Sequence, residues 1–418
     1  MRSLGRKNNI AVIKLMLTLF KSLRYRGNNI YVRIYRAYVK RCGRVNTKIV
    51  LFSSSPDYSD NAKALCEYLC ARGADKEYHF YYIVNDVSKW KKEHNNYKIT
   101  FINSQNSYGG GNVKYLKELL TAGMILYTHN APYPCEKKHA VKGQKFIKLW
   151  HGCGYKDNQV DLKKRMCNFD LALVPGRLFV ATKMRFWNAP EEKILACGYP
   201  RYDWLLKPSD EAMSYATSMK GNKLKMIIWM PTFRNDKNNY FNESDSIKQF
   251  PLISSEKQWE ELDAMCKNEN ILLLIKLHQY QRDYLIHFDA MSNIMLITNK
   301  DFEVAGINMY EFISQTDALI SDYSSIAIDY LLLDKPIAFA LEDYEQYQRT
   351  RGFVFENPLE YMPGHHLYSF DDLRLFINDV KTNNDPFKAN RLKVREKAIH
   401  ESKCYCREIS QRLNLICH

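Results

Sequence analysis

The chain has 418 residues, 46% of them hydrophobic and 26% charged. That composition is globular and long enough for two domains, and it excludes a disordered, collagenous or disulfide-stapled chain. Its 61 Lys and Arg against 46 Asp and Glu leave a net charge of +15. The excess is local: residues 1–44 hold twelve Lys and Arg and no acid, which leaves 49 basic residues against 46 acidic ones in the rest. No apolar run reaches the roughly 18 residues that a membrane-spanning helix needs. The eleven cysteines are scattered without a CxxC pair, so the reading is of reduced thiols in a cytosol, with neither a disulfide framework nor a structural zinc site.

Residues 1–44 read as two basic amphipathic helical segments joined at Gly27-Asn28-Asn29. In the first, Lys14, Thr18 and Lys21 share a face, with Ile10, Ile13, Leu17 and Phe20 elsewhere. In the second, Arg33, Arg36 and Lys40 repeat the spacing, with Ile30, Ile34, Tyr35 and Tyr38 elsewhere. Cationic and apolar faces together suit an anionic membrane surface, and a peripheral position on the cytoplasmic face is expected. Lys14 interrupts the apolar run and no small-residue cleavage site follows, so the segment is not read as a secretory signal.

From residue 47 short apolar runs alternate with helical patterns. KIVLFSS (48–54), HFYYIVN (79–85), KITFINS, MILYTHN, KFIKLWHG, LALVPG and ILACGYP (194–200) are strands, with a helix at 59–72. Residues 206–222, polar with Gly and Pro, read as an interdomain connection. A second series follows: KMIIWMPTFR (225–234), ILLLIKLH (271–278), NIMLITN (293–299), DALISDYSS (317–325) and PIAFAL (336–341) are strands. Helices are expected at 256–268 and 326–334, and in the last thirty residues. Such alternation implies parallel sheets covered on both faces. The expected architecture is α/β: two Rossmann-like domains, 45–205 on the acceptor side and 206–418 on the donor side, facing a cleft, preceded by the basic segment 1–44.

In open α/β sheets ligands bind at the C-terminal ends of strands. Polar residues gather there: His151-Gly152, Gly198-Tyr199-Pro200-Arg201, Pro231-Thr232-Phe233-Arg234, His278, and Ser321-Asp322-Tyr323-Ser324-Ser325. The last group runs from a strand into an apolar helix. Ser324 or Ser325 is a candidate N-cap, and the same geometry suits an anion. Lys276 and Arg234 at neighbouring strand ends add positive charge. His151 and His278 are each a candidate base or phosphate donor, although a histidine after a strand is also a common structural hydrogen bonder. Asp322 either serves the site or closes a turn. No metal-ligand spacing, GxxxxGK[ST] or GxGxxG occurs, and Cys153 lacks an identifiable base and orienting partner for a nucleophile.

Between residues 145 and 365, LWHG, CGYPRYD, MPTFR, IKLH, SDYSSIAIDYLLLDKPIAF and DYEQYQRTRGF…MPG occur in order. This series resembles the CDP-glycerol glycerophosphotransferase family, which primes or polymerises teichoic acids and related poly(polyol phosphate) polymers. The resemblance implies a glycosyltransferase-B type fold and no cofactor or metal. It implies transfer of a polyol phosphate, glycerol phosphate first, from a CDP-activated donor to a hydroxyl of a polymer or lipid-linked acceptor, with release of CMP. It makes His151 the general base and gives His278 the donor diphosphate. Ser324 and Ser325 bind the donor phosphates, and Thr232, Arg234 and Arg351 match positions near the donor. Two departures stand out. Cys153-Gly154-Tyr155-Lys156 replaces the usual Thr-Pro before a lysine, and Gln279 stands where proline commonly follows the histidine.

Ribitol phosphate is the alternative within this chemistry, since both donors share the CDP end. A nucleotide-sugar glycosyltransferase of the same fold is the rival enzyme. The basic arm also raises a nucleic-acid-binding module, but its charge alternates with apolar residues and no nucleic-acid motif is present, so no nucleic-acid partner is expected. Homo-oligomerisation through the arm stays open.

Overall fold

The computed structural model describes residues 30, 32–93, 97–104, 115–157, 167–231, 250–276 and 291–416. Thr232, Arg234, His278 and the first amphipathic segment lie outside the described residues. The described chain divides into two compact units. One holds residues up to His151 with 167–173 and 409–416; the other holds 152–157 and 174–408. Residues 174–205 group with the second unit by contacts, although β7 (Ile194–Ala196) within them belongs to the seven-stranded sheet.

In chain order the strands are β1 (Asn46–Ser53), β2 (His79–Ile83), β3 (Ile99–Ile102), β4 (Ala122–Tyr127), β5 (Lys145–Lys148), β6 (Leu171–Val174) and β7 (Ile194–Ala196). They are followed by β8 (Lys225–Trp229), β9 (Ile271–Lys276), β10 (Ile294–Ile297), β11 (Ala318–Ser321), β12 (Ile337–Ala340) and β13 (His365–Leu367). The first sheet has the order β3-β2-β1-β4-β5-β6-β7 and the second β10-β9-β8-β11-β12-β13. Neighbours from β3 to β6 pair in parallel, as do all neighbours in the second sheet.

Burial follows from sequence. β9 (ILLLIK), β11 and β12 are buried along their whole length, as strands covered on both faces must be. The second core packs Trp229 against Phe250 and Trp259 around Ile227, Leu262 and Leu273. The first gathers Leu51, Ile125 and Phe146 with Leu116 and Leu119. In each sheet the order reverses once, between β1 and β4 and between β8 and β11. That reversal opens a crevice at the strand ends, which is where a doubly wound sheet takes a ligand.

Three features sharpen or add to the expected elements. Within and before residues 206–222, Tyr202–Leu206 and Asp210–Lys220 are helices. Ser209 caps the second by accepting from the Ala212 amide, and Asp210 and Glu211 favour its positive end. Only Ala212 and Ala216 are buried in that helix, so its polarity hid it. The helix expected over 326–334 is Ile326–Tyr330 followed by a 3₁₀ turn at Leu331–Leu333. β13 was not anticipated; three residues carrying two histidines give no strand signal.

Residues 32–42 are helical. Val32, Arg36 and Val39 are buried, while Ile30, Ile34 and Tyr38 are 56%, 66% and 62% exposed. Arg36 therefore leaves the outward cationic stripe: its Nη2 lies 3.4 Å from Glu136 and its guanidinium stacks 4.6 Å from the Tyr133 ring. Among the described residues no helix is long and apolar enough to cross a membrane.

Candidate active site

In the second unit the strand end after β11 is shaped by its own side chains. Asp322 is fully buried, and its Oδ1 accepts from the Ser324 amide at 3.1 Å. That bond closes the turn into the helix, the plainer of the two readings for this aspartate. Ser325 precedes the helix with φ −65 and ψ −17 and makes no capping bond through its hydroxyl. The Ser325 hydroxyl therefore does not supply the expected cap, and the turn is closed through Asp322 instead.

Two glycines press on this turn. A Cβ on Gly152 would lie 2.5 Å from Ser325 Oγ, and one on Gly154 would lie 3.0 Å from the Ser325 amide. Gly152 also has φ +140, which L-residues rarely adopt. Cys153 between them is buried, with Sγ 3.2 Å from the Tyr199 hydroxyl. Burial pushes its thiol up, the wrong direction for a nucleophile.

The same loop pairs with the Arg351-Gly352-Phe353 segment. Lys156 and Phe353 form an antiparallel bridge, the Asp157 amide donates to Gly352 O at 3.0 Å, and the Val354 amide donates to Tyr155 O at 2.8 Å. Phe353 and Tyr347 lie 5.2 and 4.1 Å from the Tyr323 ring, whose hydroxyl donates to Asp343 at 2.9 Å. Three segments far apart in sequence, 152–157, 322–325 and 351–354, thus form one assembly, which brings Asp322, Ser324 and Ser325 together with the loop carrying Arg351. Lys276 ends β9, two strands from β11, and burial lowers its ammonium to about 8.

Beneath the Gly152 contact lies a buried ion pair. Arg201 Nη2 is 2.6 Å from Asp329, whose carboxylate also accepts from Tyr202 at 2.7 Å and Tyr310 at 3.1 Å. Arg201 is 1% and Asp329 0% exposed, and the arginine stacks on the Tyr199 and Tyr310 rings. Burial pushes the Asp329 carboxyl up against the opposing pull of Arg201. Arg201, first noted as a polar strand end, is an interior charge.

In the first unit His151 follows β5. Its Nδ1 lies 3.4 Å from Thr128 O, a carbonyl that cannot donate, so the ring proton belongs on Nδ1 and the basic lone pair on Nε2. The ring stacks on His129 at 3.9 Å and 6°, and Trp150 lies 4.0 Å away. Asn61, fully buried on the helix Asp60–Ala71, donates to Trp150 O at 2.8 Å and holds the strand end. Lys148 donates to His129 O and sits 5.0 Å from the Tyr127 and Trp150 rings. Trp150 has φ +59, a left-handed conformation that costs a non-glycine residue about 1–3 kcal/mol and recurs at functional sites. Burial and then Lys148 lower His129 below its usual value, against Asp60. His129 was missed from sequence, although it follows β4 as His151 follows β5 and the same strand-end rule would have found it.

Residues 35–403 match the family model described as CDP-Glycerol:Poly(glycerophosphate) glycerophosphotransferase. A teichoic acid glycerol-phosphate primase of Bacillus subtilis (strain 168) is 26% identical over 270 residues, 60% of this chain and 63% of the primase. A teichoic acid poly(glycerol phosphate) polymerase of Bacillus spizizenii is 27% identical over 369 residues, 80% of this chain and 84% of the polymerase. A teichoic acid ribitol-phosphate primase of the same species is 23% identical, and this chain spans 61% of it. The fold matches that of the wall teichoic acid polymerase TagF, with a TM-score of 0.71 at 18% identity over 96% of this chain and 97% of that one. The two parallel α/β sheets are thus of the glycosyltransferase-B kind, and the chain belongs to the CDP-glycerol:poly(glycerophosphate) glycerophosphotransferase family.

Proposed function

We propose that the protein transfers a polyol phosphate, glycerol phosphate first, from a CDP-activated donor to a hydroxyl of a cell-surface glycopolymer or lipid-linked acceptor. His151 Nε2 takes the proton of the acceptor hydroxyl as its oxygen bonds to the donor's polyol-bearing phosphorus. The bond from that phosphorus to the CMP oxygen breaks, and CMP leaves with the electron pair. Transfer of this kind depends on positioning and on charge neutralisation at the phosphoryl oxygens. Lys276, Arg351, Ser324 and Ser325 supply that in the second unit, Asp322 shapes the turn that presents the serines, and Thr232, Arg234 and His278 complete the donor set by motif. The observation that carries the reading is the orientation of His151: Nδ1 is committed to the Thr128 carbonyl, so the base is Nε2.

The test is CMP release by the purified chain with CDP-glycerol and CDP-ribitol offered separately, beside an acceptor-bearing membrane extract. Turnover with one donor, lowered about 10²–10⁴-fold in His151→Ala, is expected and names the polyol. Ribitol is the second reading, since both glycerol- and ribitol-phosphate primases are among the relatives. Consumption of a UDP- or GDP-sugar, with no turnover of either CDP-polyol, overturns both in favour of a glycosyltransferase.

Attachment to the anionic cytoplasmic face of the membrane is supported by the exposed row Ile30, Ile34 and Tyr38 beside the exposed Arg33, Lys40 and Arg41. Flotation of the full chain with anionic liposomes, lost in Ile34→Asp with Tyr38→Asp, is the expected result. Flotation unchanged by that pair removes the role of the helix.

A further inference from the structure

The first unit contains a second polar feature that the transfer chemistry does not use. A cavity of about 350 Å³ opens where the strand order of its sheet reverses. Ser53 and Ser54 line it from the end of β1, Asn85 from the end of β2, and Asn103 and Ser104 from the end of β3. Pro132 and Tyr133, after β4, form the opposite wall.

The lining is specific in charge. Among the described residues it contains no Lys or Arg and one carboxylate, Asp57. Asp57 is held in place: Oδ1 accepts from Asn85 Nδ2 at 2.8 Å and Oδ2 from the Asn85 amide at 2.5 Å. Asn103 Nδ2 donates to Asn85 O at 3.1 Å, and Ser54 Oγ lies 2.8 Å from the Tyr82 hydroxyl. The residues after three strands are therefore tied into one preorganised, hydroxyl- and amide-bearing wall. Among the described lining residues a phosphate would meet a negative charge and no cation. A neutral ligand rich in hydroxyls would meet donors and acceptors on several sides.

We propose that this cavity binds an uncharged, polyhydroxylated part of the acceptor, a sugar ring or a polyol, next to the hydroxyl that reacts. It rests on the acceptor-side reading of the first unit. His151 follows β5, and the β1 side of the cavity lies two strands away at the same edge of one sheet, about 10 Å at ordinary strand spacing. That separation suits one acceptor residue in the cavity and the next at the histidine.

The test uses the full chain and two soluble probes, glycerol and a methyl N-acetylhexosaminide, in saturation-transfer NMR. Asn85→Leu removes the amide at similar volume, and Asp57→Asn keeps shape while removing charge. Transfer to at least one probe is expected, weakened about tenfold in apparent affinity by Asn85→Leu and less by Asp57→Asn. Signal from the glycoside assigns the cavity to the sugar end of the acceptor, and signal from glycerol assigns it to the polyol chain. In the CMP-release assay Asn85→Leu should raise the acceptor KM about tenfold and leave the CDP-glycerol KM unchanged. Binding of CDP-glycerol by calorimetry confirms that the variant is folded. No saturation transfer to either probe overturns the proposal, as does a variant whose probe affinity and acceptor KM are both unaltered. The NMR arm does not require turnover, so an absence of CMP release overturns the phosphotransferase reading alone.

Discussion

The two sheets reverse their strand order in the same way but present different chemistry at the reversal. In the second sheet the crevice after β8 and β11 is built by close packing, with two glycines against Ser325 and a fully buried Arg201–Asp329 pair beneath. In the first sheet the crevice after β1 and β4 is an open cavity lined by hydroxyls and amides around one carboxylate, with two stacked imidazoles at the neighbouring strand ends. One topology thus presents two kinds of side-chain chemistry, because topology fixes only where the strand ends are. The residues that follow each strand decide what each crevice displays.

The largest expected effect breaks the second crevice from below. Asp329→Ala leaves Arg201 buried without its carboxylate and strips an acceptor from Tyr202 and Tyr310. Removing one partner of a buried pair costs about 3–5 kcal/mol. Urea denaturation should show that loss, and a change under 1 kcal/mol would mean that the pair is not what anchors the turn. Asp57→Asn in the first crevice, where the carboxylate belongs to an exposed network, should change stability by far less.

Gly152→Ala tests the close packing itself. Its Cβ would meet Ser325 Oγ at 2.5 Å on a backbone with φ +140. CMP release should fall about a hundredfold in kcat/KM, through a displaced serine and a strained loop. Gly221→Ala separates the causes: φ is +55 there and nothing lies within 4 Å of the added carbon. That control should lower stability by about 1 kcal/mol and leave turnover alone. Equal losses of turnover in the two variants would reduce the Gly152 contact to backbone strain.

The charge difference between the crevices predicts a pH dependence on one side only. Burial lowers Lys276 to about 8 from 10.5, so the donor site loses this positive charge as pH rises through 8. The CDP-glycerol KM should rise roughly tenfold above that point, the scale of one hydrogen bond to a charged group. The acceptor KM should stay level, and Lys276→Met should flatten the donor profile at the raised value. The lowered value also costs folding stability in full below about pH 8, and that cost is relieved as pH rises from about 8 to 10.5, where only the unfolded chain still holds the proton. A donor KM level from pH 7 to 9.5 would remove Lys276 from the donor site.

Much of this was legible in sequence, and the gaps have physical causes. Short apolar runs alternating with helices fixed both sheets, because strands buried on two faces must be apolar throughout, as ILLLIK of β9 is. The polar strand ends His151 and Ser321–Ser325 stood out for the same reason. What alternation does not encode is which strand ends become neighbours. His129 was within reach of the strand-end rule, but nothing in MILYTHN says that β4 lies beside β5 and so puts that histidine against His151. Arg201 stood out only as part of a polar strand end, because its partner Asp329 lies 128 residues away. The departure Cys153-Gly154 gained meaning only once Gly154 was found against the Ser325 amide. The helix Asp210–Lys220 was hidden because burying two alanines leaves no apolar stripe.

The smallest expected effect concerns the stacked imidazoles, which have no counterpart among the described residues of the second crevice. His129 holds the face of His151 at 3.9 Å while its Nδ1 is tied to Thr128 Oγ1 at 3.0 Å. Burial and Lys148 lower its ring below the usual value, and Asp60 opposes them without reversing the direction. That direction favours the neutral ring, so the contribution expected of it is position and not charge. His129→Phe keeps a flat ring against His151 and should lower kcat less than about threefold. His129→Ala removes the ring and should lower kcat about tenfold with the donor KM unchanged, since the base loses its fixed plane. The acid limb of the kcat profile decides between position and charge. A cationic His129 would hold the His151 pKa down, so its replacement by phenylalanine would move that limb to higher pH. A neutral His129 leaves the limb where it is, which is the expected outcome. An upward displacement by a full unit in His129→Phe would make His129 a charged partner of the base and would turn the stack into an electrostatic device.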